Sequence, residues 1–540
     1  MALIVLVGLP LLVGSVLVVA GSALGERLTR GLALATVLVA LGVGAGASWT
    51  RPSFDVAWLP ELGLRLHLAL DGVSVPLVLL TVVVGVLVVV LARDSMPEGG
   101  APATVLGCLL LVEGGALATF AARDAVLFFV AFEVVLIPMW VLITRFGDPH
   151  DLRARREAGH RFLLYTVIGS TLMLIGILVL VTSAGTSDFT ELLSAGAELP
   201  RGRQLTIALL LTIGLAVKVP VFPLHTWLPS AHTIAPTVGS VLLAAILLKM
   251  GTYGLVRLPL ASVPEGFAVI APWLAIAGVV GIIWGALVCL VERDLKRLIA
   301  YSSVAHMGFV VLGIASGTEV GLQAALYGNL AHGVISALLF VVVGGLKSRW
   351  GSVDLGRVLP ALREVAPHRG FFLILGLAAA LGLPGLAGFW GEFFAIVAAW
   401  QPADLSDIAV LRTCAVVAAI GGLLAAAYSL RVANLLWVGD AVSDPFPTVH
   451  PVSSRPHSPV EWALDEEMED PIPSSGAHST DAGRGAGSGS RELATEVETR
   501  GSERLVLLVL SAGIFGLGLM PWWAMDVMAP SIQSLIGVRP

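Results

Sequence analysis

Along its length the chain alternates long apolar runs with short polar breaks. About fourteen of these runs reach the roughly 20 residues that a helix needs to cross the hydrocarbon core of a bilayer. They fall near 2–23, 31–49, 71–92, 103–121, 125–143, 161–182, 205–228, 233–257, 267–291, 298–316, 320–345, 370–399, 408–437 and 503–530. The pattern predicts an all-α polytopic membrane protein. The first run opens MALIV with no basic residue before it, so an uncleaved helix is expected there rather than a signal peptide.

The rest of the chain is organised around 215–250, which reads LAVKVPVFPLHTWLPSAHTIAPTVGSVLLAAILLKM. Lys218 sits inside an apolar run and is followed at once by Pro220 and Pro223. Proline removes a backbone donor and clashes with the preceding turn, so the seventh span is expected to break beside the lysine. In hydrocarbon such a break is tolerated only where it is buried in protein or lines a wet cavity. A second interruption comes in LAAALGLPGLAGFWGEFFAIVAAW, where Pro384, Gly385 and nearby glycines break the twelfth span just before Glu392. Two interrupted helices five spans apart predict two five-helix repeats, the fourth to eighth and the ninth to thirteenth. Because five is odd, the repeats would be inverted. The resulting segments are 1–100, a first repeat at 101–258, a second at 266–440, a polar insert at 441–502 and a last helix at 503–540.

Composition narrows the chemistry. The chain is 56% hydrophobic and only 13% charged, with a mean hydropathy of +0.90, which excludes a soluble domain. Cys108, Cys289 and Cys414 fall singly inside apolar runs, with neither a disulfide framework nor metal-ligand spacing. No glycine-rich fingerprint follows a plausible strand. No resident cofactor, metal or nucleic-acid partner is expected; the surrounding lipid is the evident one.

Loop charges predict the orientation. Arg27 and Arg30, Arg145 to Arg161, Arg293 to Arg297 and Lys347 to Arg369 load one set of loops, whereas the alternate loops carry isolated arginines such as Arg51, Arg123 and Arg257. The positive-inside rule puts the first set in the cytoplasm of a bacterial cell membrane and both termini outside. The 441–502 insert is rich in Ser, Pro, Gly and Glu. It is expected to be a disordered cytoplasmic loop, because it has too little apolar surface to offset its ordering entropy.

The ionisable residues within spans are the candidates for function. Glu113, Glu133, Lys218, Lys249, His332 and Glu392 all lie in apolar runs, and one charge at the bilayer centre costs roughly 2.5–3.5 kcal/mol. Each is expected to pair or to meet water. His225, His232 and His306 lie near helix breaks or ends.

The stretches FEVVLIPMW, LAVKVPVFPLHTWLPSAHTIAPT, ERDLKRLIAYSSVAHMGFVVLGI, NLAHGVISALLF and LGLPGLAGFWGEF make the chain resemble the subunit M (chain 4) family of the proton-translocating NADH-quinone oxidoreductase, respiratory complex I. The resemblance runs from about Asp71 to Pro521. It implies fourteen core helices with two inverted repeats, and neighbouring antiporter-like subunits L and N. It also implies FMN, iron–sulfur clusters and quinone in partner subunits rather than in this chain. By motif it assigns proton transfer to Glu133, Lys218, Lys249 and Glu392; Glu113, His225, His232, His306 and His332, picked out by their own positions in spans and at helix breaks, are the auxiliary relay candidates. The insert departs from the family pattern.

The expected activity is proton translocation without redox chemistry in this chain. Burial disfavours a charged ammonium and a nearby carboxylate favours it, so Glu133 would control the proton on Lys218. Lys249 would relay it and Glu392 would pass it outward. A Mrp-type cation/proton antiporter subunit, a membrane hydrogenase subunit and a purely structural scaffold are the competing expectations.

Overall fold

A computed structural model describes residues 1–62, 64–97, 99, 101–356, 361–404, 407–439, 499 and 501–537. The predicted polar insert lies outside the described residues except at its C-terminal end. Among the described residues twelve helices are long and apolar enough to cross a membrane. Two further helices, Arg201–Lys218 and Pro367–Ala380, each stop short and resume after an irregular stretch as Trp227–Ile234 and Ala387–Trp400.

Burial sorts the helices into a centre and a rim. The Thr237–Leu260 helix, which carries Lys249, is entirely buried along its most apolar window, and Glu319–Trp350, which carries His332, is 94% buried. Ala2–Ala20, Glu26–Thr50 and Ile408–Val438 are only 33% buried and turn apolar side chains outward. Where lipid surrounds a bundle the hydrophobic effect cannot hold helices together, and small residues permit the close backbone approach that does. Gly169 and Gly214 meet in this way. A Cβ on Gly169 would stand 2.9 Å from the Gly214 carbonyl oxygen, and one on Gly214 would stand 2.5 Å from that of Gly169.

The two breaks fall where proline and glycine put them. After Lys218 the chain leaves helical geometry through Pro220 and Pro223 and re-forms a helix at Trp227. The indole of Trp227 donates to the Val217 carbonyl at 2.9 Å, so the break is closed by a side chain rather than left open. The second break runs through Gly382 and Gly385, both at positive φ, a conformation that glycine adopts without a Cβ clash.

Three features differ from the expectation. The last apolar run is two helices, Gly501–Leu519 and Pro521–Leu535, because Pro521 cannot continue the first and starts the second. Between the second and third spans Ser53–Leu59 and Leu64–Ala69 form an antiparallel hairpin, in which Asp55 pairs with His67 in register and Arg65 reaches Asp55 at 2.8 Å. Alternating apolar and polar residues in LRLHLA suit a half-exposed strand.

Third, several charges assigned to loops are buried. Asp71, just before the Ser74–Leu91 helix, accepts from Arg257 at 2.5 Å and Arg123 at 3.0 Å. Burial raises the Asp71 carboxyl, but Arg257 and then Arg123 outweigh it and hold the group well below the usual carboxylate range. Stability from a depressed carboxyl is complete above about pH 3.9 and is lost only as the pH falls further. Removing one partner of a buried pair costs roughly 3–5 kcal/mol, and the quarter-exposed Asp71 side chain places it toward the lower end. Asp71→Asn is therefore expected to lower the melting temperature of the detergent-purified protein at neutral pH. An unchanged melting curve would remove the cluster from the fold's supports.

Candidate functional site

At the centre of the bundle the Lys249 helix departs from α geometry. Leu243–Leu247 is a π segment, in which each bond skips one residue more than in an α-helix and a carbonyl is freed to another donor. The Lys249 ammonium takes that position and donates to the Ala244 carbonyl at 2.6 Å. It is also 2.6 Å from Nδ1 of His332. Gly333, beside His332, lets the two helices come together, since a Cβ there would lie 3.1 Å from the Ala245 carbonyl oxygen.

From His332 the polar groups continue in one direction. The rings of His332 and His306 lie 5.8 Å apart, and Nδ1 of His306 is 2.7 Å from Oε1 of Glu392. A cavity of about 30 Å³, with room for water, is lined by His306, His332, Gly391 and Glu392. Nε2 of both histidines is buried without a protein partner, and such a buried polar atom calls for water. The second oxygen of Glu392 sits against Gly382 in the helix break. Sequence spread over 144 residues is thus brought into one row: Lys249, His332, His306, Glu392.

Lys218 and Glu133 form a second group. Lys218 is buried and its ammonium lies over the Phe132 ring at 4.9 Å and the Phe162 ring at 5.9 Å. Among the described residues no carboxylate is within ion-pair distance of it, and Glu133 is the acid that acts on it electrostatically. Glu133 has Ser170 nearby, whose hydroxyl donates to the Val167 carbonyl at 3.2 Å. The helix around Glu133 bends at Val135, three residues before Pro138, which has no N–H to return to Val134. Gly251 joins the two groups: a Cβ there would lie 3.1 Å from the Lys218 Cβ, so the broken helix packs two residues from Lys249.

The remaining candidates sit apart. Glu113 lies against Gly85 of the neighbouring helix, where an added Cβ would meet its carboxyl at 2.4 Å, and its Oε1 is buried without a partner. His225 stacks on Phe222 at 5.4 Å within the break. His232 stacks on Phe340 at 4.5 Å, and both its ring nitrogens are buried without partners.

Sequence reading missed Lys296. It was counted with Arg293 and Arg297 among loop charges, yet Asp294 caps a helix that begins at Leu295 and turns Lys296 inward, 4% exposed, to donate to the Ala235 carbonyl at 2.5 Å. The cap residue followed by a helical run was the available signal. Arg369 was likewise read as a loop charge but is fully buried and ion-paired to Glu503 at 2.8 Å.

Comparison with known proteins gives concordant results. Residues 122–420 match the family described as NADH:quinone oxidoreductase/Mrp antiporter, TM. NADH-quinone oxidoreductase subunit M of Pseudomonas aeruginosa is 37% identical over 416 residues, 74% of this chain and 78% of that protein. A chain of respiratory complex I from Thermus thermophilus with bound NADH superposes with a TM-score of 0.79 at 26% identity, over 100% of this chain and 99% of that one. A chain of the Mrp complex from Dietzia shares the fold, with a TM-score of 0.78 at 22% identity, over 98% of this chain and 52% of that one.

Proposed function

Because this chain belongs to the NADH:quinone oxidoreductase/Mrp antiporter transmembrane family, as a relative of subunit M, we propose that it moves protons across the membrane within a complex I assembly. The observation that carries this reading is the row Lys249, His332, His306, Glu392, in which each group lies near the next and a cavity with room for water fills the remaining gap. A purely structural pair would end at its partner. Here two pairs, Lys249–His332 and His306–Glu392, follow one another with their histidine rings 5.8 Å apart. Groups able to accept and to release a proton thus continue in series where isolated charges are most costly.

The two broken helices count here as single interrupted spans, making fourteen crossings with the fourth-to-eighth and ninth-to-thirteenth helices as inverted repeats. Lys218 holds a proton while Glu133 is charged and near, and gives it up when Glu133 turns to Ser170. Lys249 receives it, and the histidines carry it to Glu392, from which it leaves on the outer face. The arginine-rich loops face the cytoplasm and both termini lie outside. Moving one charge against 100 mV costs about 2.3 kcal/mol, so the cycle needs an outside drive. NADH-to-quinone electron transfer in partner subunits that hold FMN and iron–sulfur clusters supplies it, through neighbours of the L and N type.

Purification through an affinity tag on this chain tests the assembly. Flavin- and iron–sulfur-containing subunits are expected to co-purify, and reconstituted vesicles should acidify inside or outside according to orientation when given NADH and quinone. Isolation of the chain with other membrane subunits but no flavin, and sodium-dependent proton exchange in place of NADH-driven pumping, would favour the Mrp-type reading instead.

A further inference from the structure

On the arginine-rich side a polar cavity of about 340 Å³ opens between helix ends, lined by Asp148, Ala235, Pro236, Lys296 and Lys347 among others. Lys347 and Asp148 pair across it at 2.6 Å. Burial raises the Asp148 carboxyl, but its bond to Lys347 outweighs this and lowers it, so Asp148 is charged and neutralises Lys347 at working pH. Lys296 is different. Its side chain is buried in the wall of that cavity, and among the described residues its ammonium has the Ala235 carbonyl as hydrogen-bond partner and no ion pair.

Behind Lys296 stands His232, within electrostatic reach of both Lys296 and Lys249. Its backbone carbonyl receives Ser240 Oγ at 3.2 Å, which ties it to the first turn of the Lys249 helix, and its ring stacks on Phe340. Phe340 is eight residues beyond His332 on one helix, so His232 stands about 12 Å toward the cavity from His332. Both ring nitrogens of His232 are buried without a protein partner, and such buried polar atoms call for a bridging water.

We propose that Lys296 and His232 form the uptake path by which protons pass from this cavity to Lys249. The inference rests on the proton-translocation reading and adds to it the route from the cytoplasmic side. A proton from cavity water is taken by neutral Lys296 and released through bridging water to His232. From there it reaches Lys249, and Lys296 is neutral again. The Ala235 carbonyl at the helix break holds the ammonium in place between the two sides.

The test uses the whole assembled complex in vesicles and compares NADH-driven pumping with that of Lys249→Ala. Lys296→Arg keeps the charge and the donor to Ala235 but cannot release a proton. It is expected to lose as much pumping as Lys249→Ala. Lys296→His is expected to recover part of the pumping with its pH optimum moved toward acid, since imidazole titrates near about 6.5 and the ammonium near about 10.4. Lys296→Cys should react with a membrane-impermeant thiol reagent only from the arginine-rich side, the native cysteines being buried. Wild-type pumping by Lys296→Arg would make the lysine a helix tie only and end the proposal, as would an unreactive Lys296→Cys. Wild-type pumping by Lys249→Ala would instead overturn the reading beneath it.

Discussion

Lys218→Ala complexes are expected to assemble but to lose most of their proton pumping and most of their quinone-linked NADH oxidation together. The ammonium is buried against two aromatic rings, so its loss leaves an apolar surround at that point of the path. A relay that cannot load stalls the redox step coupled to it. NADH oxidation by a soluble artificial acceptor should survive, because that reaction needs no proton passage through this chain. Glu133→Ala should reduce pumping as well, by removing the charge that acts on Lys218. Residues that act as a unit give non-additive losses, so the double variant should be little worse than Lys218→Ala alone. A native gel separates loss of assembly from loss of transfer. Simple addition of the two losses, or wild-type pumping by assembled Lys218→Ala, would dissolve the paired switch.

The spans were readable because the bilayer imposes one rule on every helix: about 20 apolar residues with all backbone groups satisfied internally. The breaks were equally readable, since Pro220, Pro223 and Pro384 act locally on the chain that contains them. The buried lysines and glutamates also stood out one by one. What a linear reading could not supply was the order in which they meet. His332 was an isolated histidine until the π segment of another helix turned Lys249 toward it, and that segment, LAAIL, carries no signal of its own irregularity.

Charges near helix ends were the other difficulty. Arg257, Lys296 and Arg369 lie within a few residues of polar loops, and hydropathy assigns them to solvent. Each is buried because a partner distant in sequence awaits it: Asp71 for Arg257, the Ala235 carbonyl for Lys296 and Glu503 for Arg369. The hairpin at Ser53–Leu59 and Leu64–Ala69 went unread because its apolar residues alternate over too few positions to stand out between two spans. Family resemblance pointed by motif to Glu133, Lys218, Lys249 and Glu392 as candidates, but it singled out nothing at Lys296, whose sequence neighbours Arg293 and Arg297 are surface charges.

Glu392→Gln is expected to leave the complex assembled and to abolish most of its pumping. The substitution keeps the side-chain length and an oxygen that accepts from His306 Nδ1, so the 2.7 Å contact across the two helices survives. It removes the group that takes up the proton at the end of the row. Proton-transfer groups typically contribute 10²–10⁴-fold, and water in the neighbouring cavity can replace part of that, so a loss of about tenfold or more is expected. Glu392→Asp keeps a carboxylate but shortens it by one methylene, which withdraws it from His306. Its pumping should fall between wild type and Gln, with the deficit traced to His306 by a smaller added loss when His306→Gln is combined with it. His306→Gln alone should resemble Glu392→Gln, since either change removes a titratable group from the same end of the row. If the Gln variant pumps as wild type while His306→Gln does not, protons leave the row at the histidine and the twelfth-span glutamate is a structural acceptor only.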